Sequence, residues 1–291
     1  FAATDGLRGG FHTGWLGEPV MLEAYTERWA LVTGASSGIG AEFARVLAGN
    51  GMHLVLTARR ESLLEELADE LRTQHMVQTE IVPMDLCEPA AVPELLGRIA
   101  DRNIELELLV NNAGFGFVGE IEGTDVDSML KMVSLNVSAL TELTYRVLPD
   151  MLAREHGAII NVASVVSFQP VAYMPVYAAT KAFVLHFSEA LWAEARDRGV
   201  TVMGLCPGTT ETEFFDVAGV PGWLKKQRSQ TARQVVKEAI DALEKRRPYV
   251  VTGLWNYLRS LGPRLATRKT VVTQTMKFFR TRSFSATEDE D

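Results

Sequence analysis

Tyr177 and Lys181 lie four residues apart in a strongly helical stretch, so both side chains share one helix face. A free tyrosine titrates near about 10, too high for efficient proton exchange at neutrality, and a neighbouring ammonium favours the phenolate. The pair is a candidate proton donor and acceptor, with Lys181 expected to bring Tyr177 down. Ser164 stands 13 residues earlier at the end of an expected strand, the edge where open α/β sheets bind ligands. Its hydroxyl is placed to hydrogen-bond a reacting oxygen. Asn136 falls inside a long helical stretch between Leu135 and Val137, and asparagine is a poor mid-helix residue, so a site suits it better than helix propensity does.

A second chemistry is written in Thr33-Gly34-Ala35-Ser36-Ser37-Gly38-Ile39-Gly40, which follows a strand and opens a helix. Glycines there let the backbone approach a pyrophosphate, and the helix start offers free N–H groups and partial positive charge. The spacing is GxxxGxG. Taken with Asn111-Asn112-Ala113-Gly114, Ser164, Tyr177-x-x-x-Lys181 and Pro207-Gly208, in that order, it resembles the short-chain dehydrogenase/reductase family, in its single-domain branch, over about residues 29–252.

The resemblance implies a nicotinamide cofactor held by Gly34, Ser36, Ser37, Gly38, Ile39 and Gly40, with Ala113, Gly114, Pro207 and Gly208 along its path and Asn111, counted with the cofactor residues, supporting the sheet there. After Pro207-Gly208 a threonine contacts the nicotinamide amide: Thr212 matches best, and Thr210 remains open. Tyr177 would exchange a proton with the reacting oxygen; Tyr177 and Lys181 are also counted as cofactor residues, both within reach of the nicotinamide ribose, whose hydroxyls Lys181 would hold. Asn136 would be the fourth catalytic residue, holding a water that relays protons from the lysine. At the end of the second strand, where an acid binds a ribose 2′-hydroxyl and a cation a 2′-phosphate, stand Arg59 and Arg60. NADP(H) is therefore expected rather than NAD(H), with either arginine dominant and Ser36 able to add a hydrogen bond. Asp85, with Leu86, matches the position beside the adenine; a turn or helix-cap role for the aspartate is equally open.

Apolar residues crowd the loops on the same sheet edge: Phe115, then Val165, Val166 and Tyr173, then Phe214 and Phe215, with Pro221, Trp223 and Leu224 beyond in a candidate lid. Such walls bind apolar ligands, so a hydrophobic ketone or aldehyde, or the matching alcohol, is the expected substrate. The run around Tyr177 and Phe183 is similar to broad-specificity bacterial reductases and microsomal ketoacyl and steroid reductases. A 3-ketoacyl or steroid-type reductase is thus an alternative, and a non-catalytic NADP(H)-binding regulator is the alternative of another class.

The elements that must position these residues alternate along the chain. Strands are expected at Ala30–Thr33, His53–Thr57, Glu80–Met84, Leu106–Val110, Ala158–Val162, Thr201–Leu205 and Tyr249–Thr252. Helices are expected at Gly38–Asn50, Ser62–Gln74, Ala90–Arg102, Val126–Glu155, Pro175–Arg198 and Ala232–Lys245. The pattern predicts a three-layer, doubly wound α/β Rossmann fold with a seven-stranded parallel sheet in the order 3-2-1-4-5-6-7. A single catalytic domain over 27–252 is expected, between a flexible glycine-rich extension at 1–26 and a basic, apolar C-terminal arm at 253–291.

Composition supports a globular protein: 291 residues, 47% hydrophobic and 23% charged, exclude a disordered or collagen-like chain. No run approaches the ~18 apolar residues of a spanning helix, and the N-terminal stretch lacks the pattern of a secretory signal. The two cysteines, Cys87 and Cys206, each in a strand-like run, point to buried thiols and a reducing, cytoplasmic setting. The histidines lack metal-ligand spacing and no G-x-S-x-G elbow occurs, so neither a metal site nor a serine hydrolase is expected. The net charge of −8 divides unevenly: ten basic and no acidic residues lie from Lys245 to Ser283, against 19 bases and 33 acids before them. An acidic body is a poor nucleic-acid partner. Gly262-Pro263 should break the arm, which either packs on the substrate mouth or a second subunit of a homodimer or homotetramer, or touches a membrane surface peripherally.

Overall fold

The computed structural model describes residues 22–220 and 228–283. Seven parallel strands form one sheet: β1 (Trp29–Thr33), β2 (His53–Ala58), β3 (Thr79–Pro83), β4 (Leu106–Asn111), β5 (Gly157–Val162), β6 (Val200–Cys206) and β7 (Tyr249–Val251). Their spatial order is β3-β2-β1-β4-β5-β6-β7, as expected, with the reversal point between β1 and β4. The family of crossovers that makes this order puts helices on both faces: α1 (Gly38–Gly49), α2 (Glu61–His75) and α3 (Ala91–Ala100), then α4 (Val126–Val133), α5 (Leu140–Ala153), α6 (Pro175–Ala195), a one-turn α7 (Phe214–Val217) and α8 (Ala232–Glu244). Two further helices, α9 (Leu254–Leu265) and α10 (Arg268–Ser283), follow the last strand.

Side-chain alternation explains the layers. Ala30, Val32, Leu54, Leu56, Leu108 and Val110 bury one sheet face against α1, α2 and α8, through Phe43, Leu47, Leu64, Val235 and Leu243. Their neighbours Leu31, Val55, Leu109 and Ile159 bury the other against α3 and α5, through Val92, Leu95, Leu143 and Met151. A sheet covered on both sides reads as continuous apolar strands, which is why its sequence signal was clear.

Four expectations change. The helix expected over Val126–Glu155 is two α-helices joined by a π-helical turn, Ser134–Ala139, centred near Asn136. Residues 22–25 are not a loose extension: Leu22 and Tyr25 are buried, and Tyr25 meets His156 edge-on at 5.3 Å between ring centres. The arm does not break at Gly262-Pro263; α9 runs through Pro263, and the chain turns at Ala266, with Thr267 Oγ1 accepting from the Thr270 N–H. Cys87 lies in the turn after β3, whereas Cys206 ends β6 and is fully buried; both are free thiols. The arm is folded against the catalytic body: the Ala172 N–H donates to Thr275 Oγ1 of α10 at 3.2 Å.

Between β6 and α8, Thr210–Glu211 pairs with Gln230–Thr231 in a two-residue parallel bridge, closing the base of the insertion that carries α7.

Candidate active site

At the C-terminal edge of the sheet lies a cavity of about 980 Å³. Pro175 in the first turn of α6 starts the helix where its missing N–H costs nothing, and Tyr177 and Lys181 follow on the inner face. Both line the cavity and are buried. Lys181 Nζ donates to the Val162 carbonyl at 2.7 Å and lies 5.9 Å from the centre of the Tyr177 ring. Ser164 lines the same wall; its Oγ accepts from the Val166 N–H, capping the 3₁₀ turn Val165–Phe168. Ser167 Oγ accepts from the Ser164 N–H and donates to the Lys181 carbonyl at 2.8 Å, so it pins the Ser164 turn to α6. Sequence reading passed over Ser167, although the Ser-x-x-Ser spacing of a reciprocal cap was present.

The electrostatics correct one expectation. Tyr177 is not brought down by Lys181 but pushed up to about 12 by burial, partly offset by its hydrogen bond with Ser164. Lys181 is pushed down to about 8 by burial. Desolvation penalises whichever form is charged, so it drives each group towards neutrality. At neutral pH the phenol keeps its proton and the lysine remains largely an ammonium, a pair set to deliver a proton to an oxygen between Ser164 and Tyr177.

Asn136 is brought near the cluster but not onto the cavity wall. Its Oδ1 accepts from the Phe115 N–H at 3.1 Å, and its Nδ2 donates to the Phe115 carbonyl and Thr180 Oγ1 at 2.9 and 3.2 Å. The side-chain amide is thus engaged in fastening the Gly114–Phe115 loop to α6. Gly114 fits between the two, since a Cβ there would lie 2.9 Å from Asn136 Oδ1 and 3.4 Å from Lys181 Nζ.

The glycine-rich turn is built as its sequence demands. Gly34 and Gly38 take positive φ of 65° and 57°, the left-handed region that a side chain strains. Gly34, Ser36, Ser37, Gly38 and Ile39 line the cavity. Gly40 does not; a Cβ there would strike the Gly34 carbonyl oxygen and come within 2.5 Å of Asn112 Nδ2, so Gly40 keeps the turn tight from behind. Helix α1 starts at Gly38 without a side-chain cap, leaving first-turn N–H groups available to an anion at this wall.

Asn111 supports the sheet, as the resemblance implies, and is corrected only as a cofactor contact: it is buried off the cavity, donating to Thr144 Oγ1 at 3.0 Å and Asn161 Oδ1 at 2.9 Å. The last residue of a strand buried on both faces has no path to the cavity. Its neighbour Asn112 reaches it instead, donating to the carbonyls of Thr33 and Gly34. Thr33 Oγ1 accepts from the N–H groups of Asn112 and Ala113, tying the two loops together; both residues stand in the sequence motifs, which assign them no role of their own. Ala113 and Gly114 line the cavity.

At the far end Arg60 Nη2 donates to Ser36 Oγ at 3.1 Å and Ser37 Oγ at 2.8 Å and pairs with Glu213 Oε2 at 2.9 Å. Arg59 shares the wall and has no ion pair among the described residues. Asp85 and Leu86 line the cavity, and Asp85 Oδ1 accepts from the Cys87 N–H, so the aspartate combines the wall position with the turn role. Pro207, Gly208, Thr210 and Thr212 line the opposite side. Thr212 faces the glycine turn, its Cγ2 being 2.9 Å from where a Gly38 Cβ would stand, whereas the Thr210 hydroxyl donates back to the Gly208 carbonyl.

Phe115, Val165, Val166, Phe214 and Phe215 form the apolar wall, with the Phe214 ring 5.3 Å from that of Tyr177. Tyr173 is not on it. Its backbone sits at a φ of 64°, its carbonyl accepts from the Gly119 N–H, and it packs on a cluster whose Val118 and Val171 themselves line the cavity. Pro221, Trp223 and Leu224 lie outside the described residues. The arm packs on the substrate mouth, one of the expected arrangements, and supplies wall residues that the sequence did not single out: Asn256, Arg259 and Pro263 of α9 and Val271, Gln274 and Phe279 of α10 complete the cavity. Among the described residues no helix is long and apolar enough to cross a membrane, and no three His, Cys, Asp or Glu side chains are grouped to hold a metal.

Three comparisons bear on this geometry. The short chain dehydrogenase family model matches residues 28–219. Very-long-chain 3-oxoacyl-CoA reductases are similar: that of Anas platyrhynchos is 33% identical over 65% of this chain and 62% of its own length, and that of Bos taurus 31% identical over 77% and 69%. The chain thus spans a little under two thirds of the Anas relative. Among solved structures, a short-chain dehydrogenase from Sphingobium yanoikuyae in complex with NADPH matches with a TM-score of 0.74 at 33% identity, covering 82% of this chain and 94% of that one.

Proposed function

Because the chain belongs to the short-chain dehydrogenase/reductase family, an oxidoreductase family, we propose that it uses NADP(H) to reduce a hydrophobic ketone or aldehyde, or to oxidise the matching alcohol. The observation that carries the reading is the continuity of one cavity, from the cluster of Arg60, Ser36 and Ser37 to the hydroxyls of Ser164 and Tyr177. The residues fit the dinucleotide: the uncapped start of α1 suits its pyrophosphate, and a guanidinium beside two hydroxyls suits a 2′-phosphate. When bound, the nicotinamide supplies or accepts the hydride.

The chain's own groups manage the proton. Ser164 positions the reacting oxygen, and Tyr177, protonated at neutral pH, releases its Oη proton to that oxygen in reduction and recovers one in oxidation. Lys181, anchored to the Val162 carbonyl, places an ammonium on the same wall as Tyr177, where it can hold ribose hydroxyls. Asn136 positions Gly114 and α6. The walls of Phe115, Val165, Val166, Phe214 and Phe215 exclude water and accept an apolar chain. The names of the similar reductases support a long-chain 3-oxoacyl substrate as the second reading within this class. A panel of aliphatic, aromatic, steroid and 3-oxoacyl carbonyls, assayed for NADPH and NADH consumption, tests the proposal. Faster turnover with NADPH and apolar carbonyls is expected. A preference for small charged sugars would overturn the substrate class, and absence of turnover with every carbonyl would leave the regulator.

The arm supports two partner readings. Its packing on the Pro170–Ala172 segment favours a roof over the mouth. The exposure of Leu254, Trp255, Leu258 and Leu265 among Arg264, Arg268 and Lys269 favours contact between that roof and an anionic lipid surface. Cosedimentation of the full chain with anionic vesicles, lost in Trp255→Glu/Leu258→Glu, is the expected result; equal binding by the variant removes the lipid contact. Exposed Tyr145 and Phe183, flanking Phe187 on α5 and α6, support a homo-oligomer.

A further inference from the structure

Arg60 and Glu213 are 153 residues apart and come from opposite walls of the cofactor end of the cavity. Arg60 stands between β2 and α2, next to the glycine-rich turn. Glu213 follows Thr212 and immediately precedes α7. Its Oε2 accepts a hydrogen bond from Arg60 Nη2 at 2.9 Å, and that same nitrogen donates to the hydroxyls of Ser36 and Ser37. A second hydrogen bond joins Glu213 to Ser37, and the two together hold the carboxyl below the usual carboxylate range. A guanidinium and two serine hydroxyls are the donor set that a phosphate monoester would use, and here an internal carboxylate already occupies it.

We propose that Glu213 is a built-in competitor for the cofactor's 2′-phosphate, a latch across the cofactor end of the cavity that gives up Arg60 when NADP(H) enters and so tempers the selectivity between NADP(H) and NAD(H). This rests on the reading of Arg60 as a phosphate ligand. A 2′-phosphate must displace the carboxylate and then tolerate a like charge beside it. A 2′-hydroxyl makes no such demand, and NAD(H) binds with the pair intact. Glu213 therefore narrows a preference that Arg60 alone would make wider. The same displacement frees the start of α7, whose Phe214 packs on Tyr177. The Arg60 and Glu213 side chains are 45% and 55% exposed, which limits the pair to a factor of about two to five in binding.

Direct titration of wild type, Glu213→Gln and Arg60→Gln with NADPH, NADH, adenosine 2′,5′-bisphosphate and ADP separates the two ideas without turnover. In Glu213→Gln, NADPH and the 2′,5′-bisphosphate should bind about two- to fivefold tighter at low salt, with NADH and ADP unchanged. Raising the salt should shrink the gain. Unchanged or weaker NADPH binding in Glu213→Gln, with Arg60→Gln losing NADPH selectively, would overturn the latch and leave the cofactor reading standing. Equal weakening of NADPH and NADH in Arg60→Gln would overturn the cofactor reading and the latch with it. Far-UV circular dichroism and a cooperative thermal transition like that of wild type show, independently of binding, that each variant is folded.

Discussion

Replacing Gly208 by Ala tests whether the C-terminal arm really closes the site. A Cβ at 208 would fall on the Asn256 side chain of α9, 2.6 Å from Cγ and 2.8 Å from Oδ1. Asn256 cannot swing away freely, because its Nδ2 donates to the Thr252 carbonyl at 2.8 Å. Gly208→Ala must then break that bond or push α9 outward, an overpacking cost of about 1–3 kcal/mol. Asn256→Ala alone gives up the bond and costs about 0.5–1.5 kcal/mol. Together the clash disappears, so the double variant should be more stable than the sum of the singles by about 1–2 kcal/mol. Urea unfolding of the four proteins measures this, and midpoint temperatures should follow at roughly 2–4 °C per kcal/mol. Additivity within about 0.5 kcal/mol would refute the packing of α9 on the Pro207-Gly208 segment.

Burial sets a pH limit on catalysis. The Lys181 ammonium is complete well below its value of about 8 and is lost as pH rises through it, whereas Tyr177, at about 12, stays protonated. kcat/KM for reduction should therefore fall about tenfold per pH unit above 8, and Lys181→Arg, which does not titrate there, should lack this limb; a wild-type plateau to pH 10 would contradict it. Asn111→Leu should unfold about 1–3 kcal/mol more easily, because Asn161 Oδ1 loses its donor while the unpartnered Asn111 Oδ1 is removed. Its NADPH affinity should stay within about twofold of wild type, and lost affinity with intact stability would return Asn111 to the cofactor site.

The strands, the glycine-rich turn and the trio of Ser164, Tyr177 and Lys181 were legible because each rests on local pattern. Leu54, Val55 and Leu56 are buried on both faces, and Tyr177 and Lys181 share a helix face by spacing alone. What escaped depends on long-range geometry. Nothing near Glu213 announces Arg60. That Asn112 and not Asn111 reaches the cavity depends on a single step at the end of β4, where one side chain turns into the sheet and the next to the cavity. The helix around Asn136 was read as continuous because a π-helical turn inserts a residue without a breaker such as Pro or Gly. The direction of the Tyr177 shift was misjudged because charge proximity was visible in sequence, whereas desolvation is a property of the folded cavity. The arm's apolar and basic residues were visible, but their use as a roof was only one of the readings until α10 was seen against Ala172.

The central claim is that Tyr177 moves the proton in a reaction whose cofactor it does not itself bind tightly. The decisive measurement is NADPH-dependent carbonyl reduction by Tyr177→Phe, paired with NADPH titration of the same protein. Removal of the single oxygen should lower kcat by a factor of about 10²–10⁴ while NADPH affinity stays within about twofold. Turnover close to wild type with NADPH binding intact would contradict the account.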